Sequence, residues 1–212
     1  MAILLVRHAE SFANAGGVTM PHGAIPLSDA GRQQAAALAA LLPSAPAAIR
    51  VSTMLRTRQT AEPYCALVGI APQEYALLDE FSLVDPALIE GMDGAQRRLF
   101  VRRYWEKPDP LHRWGEQADT FAEFAGRVDD FIAKLDEIED ASVIFGHGIW
   151  LIMLHWLLRG NSTKTADDMI AFQRYRLAFA MPNCAAFKLE NDKQTGWHID
   201  PSFPRVFGGN DG

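Results

Sequence analysis

Four side chains in this 212-residue sequence have the chemistry to handle a multiply charged anion: Arg7 and His8 side by side, Arg56, and His147 between two glycines. Two guanidinium groups supply fork-shaped donors matched to a phosphate or carboxylate, and they stay charged at any working pH. The imidazoles add either further donors or a nucleophile, depending on protonation. Arginine beside His8 disfavours the imidazolium and so favours a ring nitrogen with a free lone pair. A neutral imidazole aimed at phosphorus is a competent nucleophile. Phosphoryl transfer then needs little beyond positioning and charge neutralisation.

Such chemistry requires these residues to converge, and the hydrophobic pattern supplies the means. Ala2–Val6 is a short apolar run that reads as a strand buried on both faces. A loop rich in Gly, Ala and Pro follows over 9–26. Ser28 then precedes a helical stretch, Asp29–Leu42, stopped by Pro43 and Pro46. Ile49–Ser52 is a second strand candidate. Thr53–Leu67 reads as a helix, with a kink or break expected at Pro63. Thr120 and Glu123 have capping-box spacing, and Phe121, Phe124, Val128, Phe131, Leu135 and Ile138 recur on one helical face. Ser142–Phe145 is a further buried strand, Gly146-His147-Gly148 a tight turn, and Ile149–Arg159 a helix apolar nearly all round. Ala185–Leu189 and Gly196–Ile199 are late strands joined by a polar turn at Asn191-Asp192.

Strands alternating with helices predict an α/β domain, three-layered, with a mostly parallel sheet flanked by helices. Arg7-His8 follows the first strand, Arg56 the second, and His147 the strand at Ser142–Phe145. Ligands in such sheets bind beyond the carboxyl ends of the strands, so the three groups are expected in one crevice.

Between about 82 and 118 the pattern loosens, and only Gly94–Trp105 looks helical. This reads as an inserted cap within a single domain spanning 1–212. Its basic residues (Arg97, Arg98, Arg102, Arg103, Lys107 and Arg113) read as a solvated helix face, with Leu99, Phe100, Val101 and Tyr104 turned inward. A second anion site is the competing reading. Trp105, Trp114 and Phe81 are expected to pack the cap, and His155 to be a satisfied core histidine.

A formal charge of −6 argues against nucleic acid or an anionic membrane as partner, so attraction for an anion must be local. The two cysteines have no ligand-like spacing, and no stretch has the length of a membrane span or a signal-peptide core. A soluble cytoplasmic protein is expected, with a homodimer left open.

The block Leu5-Val6-Arg7-His8-Ala9-Glu10-Ser11, with Asn14 after it, resembles the first signature of the histidine phosphatase (phosphoglycerate mutase-like) superfamily. Four more blocks resemble the family in order: Pro26–Ala35, Ser52–Ala61, Leu78-Asp79-Glu80 and Phe145-Gly146-His147-Gly148. The resemblance implies a phosphoglycerate mutase-like fold and a phosphomonoesterase acting on a small phosphate ester. His8 would be the phosphorylated nucleophile. Arg7, Arg56 (not Arg58), His147 and Asn14 would bind the phosphoryl oxygens. Glu80 would be the acid and base, with Asp79 its competitor. It implies no metal or organic cofactor. Two positions depart from the family: Ala9 stands where glycine is usual, and Phe81–Pro86 replaces the common Gly-x-Trp-Glu-Gly continuation. The second departure sets a phosphatase ahead of a mutase. A non-catalytic phospho-ligand sensor and metal-assisted hydrolysis through His8, Glu10 and His147 are the remaining alternatives.

Overall fold

The apolar N-terminal run becomes a central strand, β1 (Ala2–Arg7), with β4 (Val143–Gly146) parallel on one side and β5 (Ala185–Asp192) antiparallel on the other. The computed structural model describes residues 1–179, 181–192 and 194–199, with the backbone of 205 and 206; the end of the expected 1–212 domain lies outside the described residues. Beyond β4 come β2 (Ile49–Val51) and β3 (Gln73–Glu74), both parallel. Beyond β5 come β6 (Gly196–Ile199) and β7 (Arg205–Val206), each antiparallel to β5. The sheet is therefore parallel from β3 through β1, and the late strands add an antiparallel edge.

Alternation along the strands builds two cores. Ile3, Leu5, Ile144, Phe187 and Leu189 enter one, against α4 (Phe121–Ala133), α5 (Gly148–Leu158) and α6 (Ala166–Ala178). Val6, Ile49, Val51, Val143 and Phe145 enter the other, against α1 (Asp29–Ala39) and α2 (Leu55–Val68). Three layers result.

Local signals behave as their chemistry dictates. The Ser28 side chain caps α1, which ends at Ala39 and so falls short of the prolines expected to stop it. Helix α2 continues through Pro63 without a break and ends at Gly69, whose φ of 73° suits glycine. Thr120 and Glu123 close a reciprocal capping box on α4. Phe121, Phe124, Val128 and Phe131 are wholly buried, and Leu135 and Ile138 continue that face past the helix end. Helix α6 is missing from the sequence reading because its apolar residues form no continuous stripe: Met169 and Phe172 are buried, yet Leu177 is 70% exposed. Among the described residues no helix is long and apolar enough to cross a membrane.

The cap holds α3 (Gly94–Glu106), opened by an Asp93–Gln96 capping box. Phe81 stacks on Phe124 at 4.6 Å and Phe100 on Trp114 at 4.6 Å, so these aromatics pack the cap onto the α4 side of the core. Tyr104 is buried as expected, but Leu99 is 66% exposed and faces solvent. Arg97 is consumed internally, donating to the carbonyls of Gly17 (2.6 Å), Met92 (2.8 Å) and Ala13 (3.2 Å), and Arg113 pairs with Glu123. The expected inward set thus loses Leu99, and the basic stretch loses Arg97 and Arg113 to these contacts and Arg102 to an ion pair with Glu106 at 3.1 Å.

The loop after β1 rests on the start of α1. Ser28 donates its backbone N–H to the Glu10 carbonyl at 3.0 Å and its hydroxyl to the Glu10 carboxylate at 2.6 Å. Gly31 leaves room for this: a Cβ there would lie 1.9 Å from the Glu10 carbonyl oxygen. Gly31→Ala should therefore displace the loop that follows His8 and cost about 1–3 kcal/mol. Gly126→Ala on α4, where a Cβ meets nothing within 4 Å, should stabilise by about 0.5–1 kcal/mol. Urea unfolding of both variants checks the pair; a stable Gly31→Ala protein would refute the packing constraint.

Candidate active site

Immediately after β1, the backbone of His8 is held on both sides. Its N–H donates to the Gly146 carbonyl at 3.0 Å, and its carbonyl accepts Asn183 Nδ2 at 3.0 Å and the Cys184 N–H at 3.4 Å. The ring Nδ1 lies 2.7 Å from the Ala9 carbonyl oxygen. A carbonyl only accepts, so Nδ1 carries the hydrogen and Nε2 carries the lone pair. Burial, then the charges of Arg56 and Arg7, hold the His8 pKa well below the ordinary histidine range. Ala9 is accommodated in place of glycine: it is not among the left-handed residues, and its N–H donates to Thr60 Oγ1 at 3.0 Å.

His147 caps the N-terminus of α5 at the end of β4 and is wholly buried. Its ring centroid stands 5.2 Å from that of His8, with the planes at 63°. Nε2 is 2.7 Å from Ser52 Oγ, which is itself 2.8 Å from Thr57 Oγ1, while Nδ1 has no partner among the described residues. Burial and Arg56 again push the pKa well down. Nε2 is thus engaged by the Ser52 hydroxyl, and Nδ1 is the ring nitrogen left for a further partner.

Three guanidinium groups line the same cavity of about 380 Å³. Arg7 donates to the Met181 carbonyl and keeps a buried Nε without a partner. Arg56, 4% exposed, donates to the His22 carbonyl at 2.9 Å and contacts the Met54 sulfur. Burial lowers its pKa to about 10, which leaves it charged near neutrality. The third is Arg176 on α6, bonded to Gln173 Oε1 at 2.9 Å and lying over the Trp105 ring at 5.4 Å. None of the three is ion-paired to a carboxylate among the described residues, so their charge is available to a ligand.

Glu80 lies on the cavity wall. Its Oε1 accepts the Trp150 N–H at 2.9 Å and the Phe81 N–H at 3.0 Å, and Oε2 accepts the Ile149 N–H at 3.0 Å. Burial raises its pKa despite these donors. Asp79 is occupied elsewhere, receiving the Thr53 N–H and hydroxyl, each at 2.8 Å. The competition between the two carboxylates thus falls to Glu80 on position. Asn14 also lines the cavity; its Oδ1 accepts the Ser11 N–H at 3.1 Å and hydroxyl at 2.9 Å, leaving the amide nitrogen to face a ligand. Glu10 is turned to Ser28, and Arg58 pairs with Glu74 at 2.7 Å on the surface. Every residue expected at the site is therefore near the others, with His147 enclosed behind His8.

His22 and Arg176 were not anticipated. His22 sits in the loop over Arg56, with Nε2 3.4 Å from Arg56 Nη2, and burial together with that charge lowers its pKa to about 3. Arg176 belongs to the helix that the hydrophobic pattern does not disclose. A histidine in the loop after the first strand was the only available signal for either. The assembled groups suit a tetrahedral dianion: three cations, a lone-pair nitrogen and a carboxyl that tends to hold a proton.

The model of the Histidine phosphatase superfamily (branch 1) matches residues 3–189 of the chain. Among solved structures, the chain is similar to a putative alpha-ribazole-5'-P phosphatase from Escherichia coli, with TM-score 0.74 and 23% identity over 99% of this chain and 98% of that one. It is also similar to a mycobacterial glucosyl-3-phosphoglycerate phosphatase complexed with VO3, with TM-score 0.71 and 22% identity over 94% and 96%. A mycobacterial hydrolase gives TM-score 0.72 and 21% identity over 98% and 99%. Among curated proteins no sequence matches.

Three neutral histidines carry a pH signature. Unfolding returns each ring to the ordinary pKa of 6.5, so below that pH the unfolded chain binds more protons than the native one and stability falls with pH. For His22 the loss starts below 6.5 and continues to about 3; at pH 5 it amounts to about 2 kcal/mol. Thermal unfolding at pH 7 and pH 5 in phosphate-free buffer should show a smaller acid loss in His22→Gln than in the parent. Equal losses would mean that His22 is not held neutral.

Proposed function

The chain belongs to branch 1 of the histidine phosphatase superfamily, and from that premise we propose that it hydrolyses small phosphate monoesters through a phosphohistidine on His8. The observation that carries the reading is the His8 Nδ1 hydrogen bond to the Ala9 carbonyl, which leaves Nε2 as the nucleophile beside three arginines that have no carboxylate partner among the described residues. The phosphatases among the similar structures support hydrolysis over mutase chemistry.

In the first step His8 Nε2 attacks phosphorus in line, the bond to the ester oxygen breaks, and Glu80 gives that oxygen its proton. Arg7, Arg56 and Arg176 neutralise the phosphoryl oxygens, and His147 Nδ1–H and the Asn14 amide donate to them. The positive charge that develops on His8 is held by its bond to the Ala9 carbonyl. In the second step water attacks phosphorus, Glu80 takes the water's proton, and the N–P bond returns its electron pair to Nε2, releasing inorganic phosphate. The incoming dianion raises the Glu80 pKa further, in the direction burial already takes it. No step calls on a metal or organic cofactor. We extend the reading to a single-domain cytoplasmic enzyme, which two free thiols, Cys65 and Cys184, support.

His8→Ala should abolish turnover, and Glu80→Gln should lower kcat by about 10²–10⁴-fold. Quench-flow with a ³²P-labelled aryl phosphate should trap acid-labile, base-stable phosphate on the parent protein, with free phosphate released in the absence of any bisphosphorylated primer. Label retained on the enzyme until a phosphorylated acceptor is added would identify a mutase instead. Tight ester binding without turnover would identify a sensor.

Ser52→Ala removes the hydroxyl bonded to His147 Nε2 and should raise KM for the ester more than it lowers kcat, with Ser52→Thr restoring most of the loss. Equal kinetics in Ser52→Ala and parent would remove Ser52 from the positioning of His147.

A further inference from the structure

Beside the anion cavity lies a second cavity of about 260 Å³, between the loop at 13–25 and the cap. The two share Ala13, His22, Ile25, Glu80 and Ile149, so they open into each other. Their chemistry differs sharply. Arg7, His8, Arg56 and Arg176 line only the first. The walls of the second come from Met20, Phe81, Leu83, Val84, Ile89 and Val101.

Away from the boundary shared with His22 and Glu80, the polar side chains along this second cavity are already spoken for. Thr19 donates its hydroxyl to the Met92 carbonyl at 3.1 Å, Ser82 donates to the Gln117 carbonyl at 3.4 Å, and Arg97 is spent on the carbonyls of Ala13, Gly17 and Met92. A polyhydroxylated group placed here would exchange water for an apolar wall and leave its hydroxyls without partners. Glu80 stands on the shared boundary. The group that protonates the leaving oxygen must touch that oxygen, so the organic part of the ester extends from Glu80, away from the cations and into this space.

We propose that the preferred substrate is a phosphate monoester of an apolar alcohol, a branched or straight alkyl or an aryl group, whose hydrocarbon portion fills the cavity walled by Phe81, Leu83, Val84 and Val101. This specificity rests on the hydrolase reading above and narrows its substrate class. It sets sugar phosphates and other polyhydroxylated esters aside. The cap supplies most of the selecting surface, and Arg97 ties that surface to the loop carrying Ala13 and Thr19.

The test compares kcat/KM for ethyl, butyl and hexyl phosphate with that for glucose 6-phosphate, all primary alkyl esters whose leaving groups have similar basicity. The rate constant should rise about fourfold per added methylene until the cavity is full, the worth of burying one CH₂. Hexyl phosphate should exceed glucose 6-phosphate by roughly tenfold or more. Inhibition by ethyl-, butyl- and hexylphosphonate should follow the same gradient and reads binding without turnover. Val101→Asp should flatten the hexyl-to-ethyl ratio, which does not depend on how much of the variant is folded. Release of phosphate with a flat chain-length profile, or with glucose 6-phosphate ahead of hexyl phosphate, would overturn the specificity and leave the hydrolase standing. Absence of both phosphate release and phosphohistidine on every ester would remove the hydrolase, and this inference with it.

Discussion

Parallel pairing of β1 with β4, with Arg7 opposite Gly146, is the constraint on which the site depends. It delivers Arg7 and His8 at the end of one strand and His147 at the end of its neighbour. The His8 N–H donates to the Gly146 carbonyl at 3.0 Å, so the strand pairing itself extends to His8. Because side chains alternate along a strand, a slip of one residue would turn Ile3 and Leu5 out of one core and Val6 out of the other. The hydrophobic pattern of β1 therefore fixes the position of His8 as firmly as any bond made by His8 itself. β2, on the far side of β4, brings Ser52 against His147 and starts the turn that leads to Arg56.

Charge is distributed to the same end. The chain as a whole is acidic, with a formal charge of −6, yet the larger of the two adjoining cavities is lined by three arginines without carboxylate partners among the described residues. Their restraints are uncharged: main-chain carbonyls for Arg7 and Arg56, the Gln173 amide for Arg176. Neutral anchors hold geometry without cancelling field. Glu80, the one carboxylate on the cavity wall among the described residues, is held by two backbone N–H groups at the start of α5 and by that of Phe81, and is pushed toward its neutral form by burial. Burial, and after it that field, drives the histidines to the neutral state.

Much of this was legible in the sequence because the relevant residues sit at strand ends, where a chain-order argument reaches them. Arg7, His8, Arg56 and His147 each follow a short apolar run, and the sheet gathers them. The capping box at Thr120 and the apolar face that follows it were legible for a different reason: both are periodic and local. Helix α6 lacks such a stripe, so Arg176 was out of reach. His22 lies in a loop whose path depends on Arg97, a contact across some eighty positions that no local pattern encodes. Leu99 shows the reverse error, since an apolar residue on α3 was assigned to the core and is exposed. The choice between Asp79 and Glu80 turned on Thr53, which takes both oxygens of Asp79.

The departure after Glu80 connects the cap to the chemistry. Where the family continues with glycine and tryptophan, this chain has Phe81-Ser82-Leu83-Val84, and those residues are both the outer wall of the apolar cavity and part of the packing that carries α3. Phe81 stacks on Phe124 while its N–H donates to Glu80 Oε1. One residue thus joins the hydrophobic core, the Glu80 carboxyl and the wall of the apolar cavity. A substitution there cannot alter specificity without also moving the Glu80 carboxyl. Adjustments confined to α3, at Val101 for example, can reshape the cavity while the carboxyl keeps its three backbone donors. The geometry therefore separates a cavity of arginines and histidine gathered at the strand ends from an apolar surface carried by the cap.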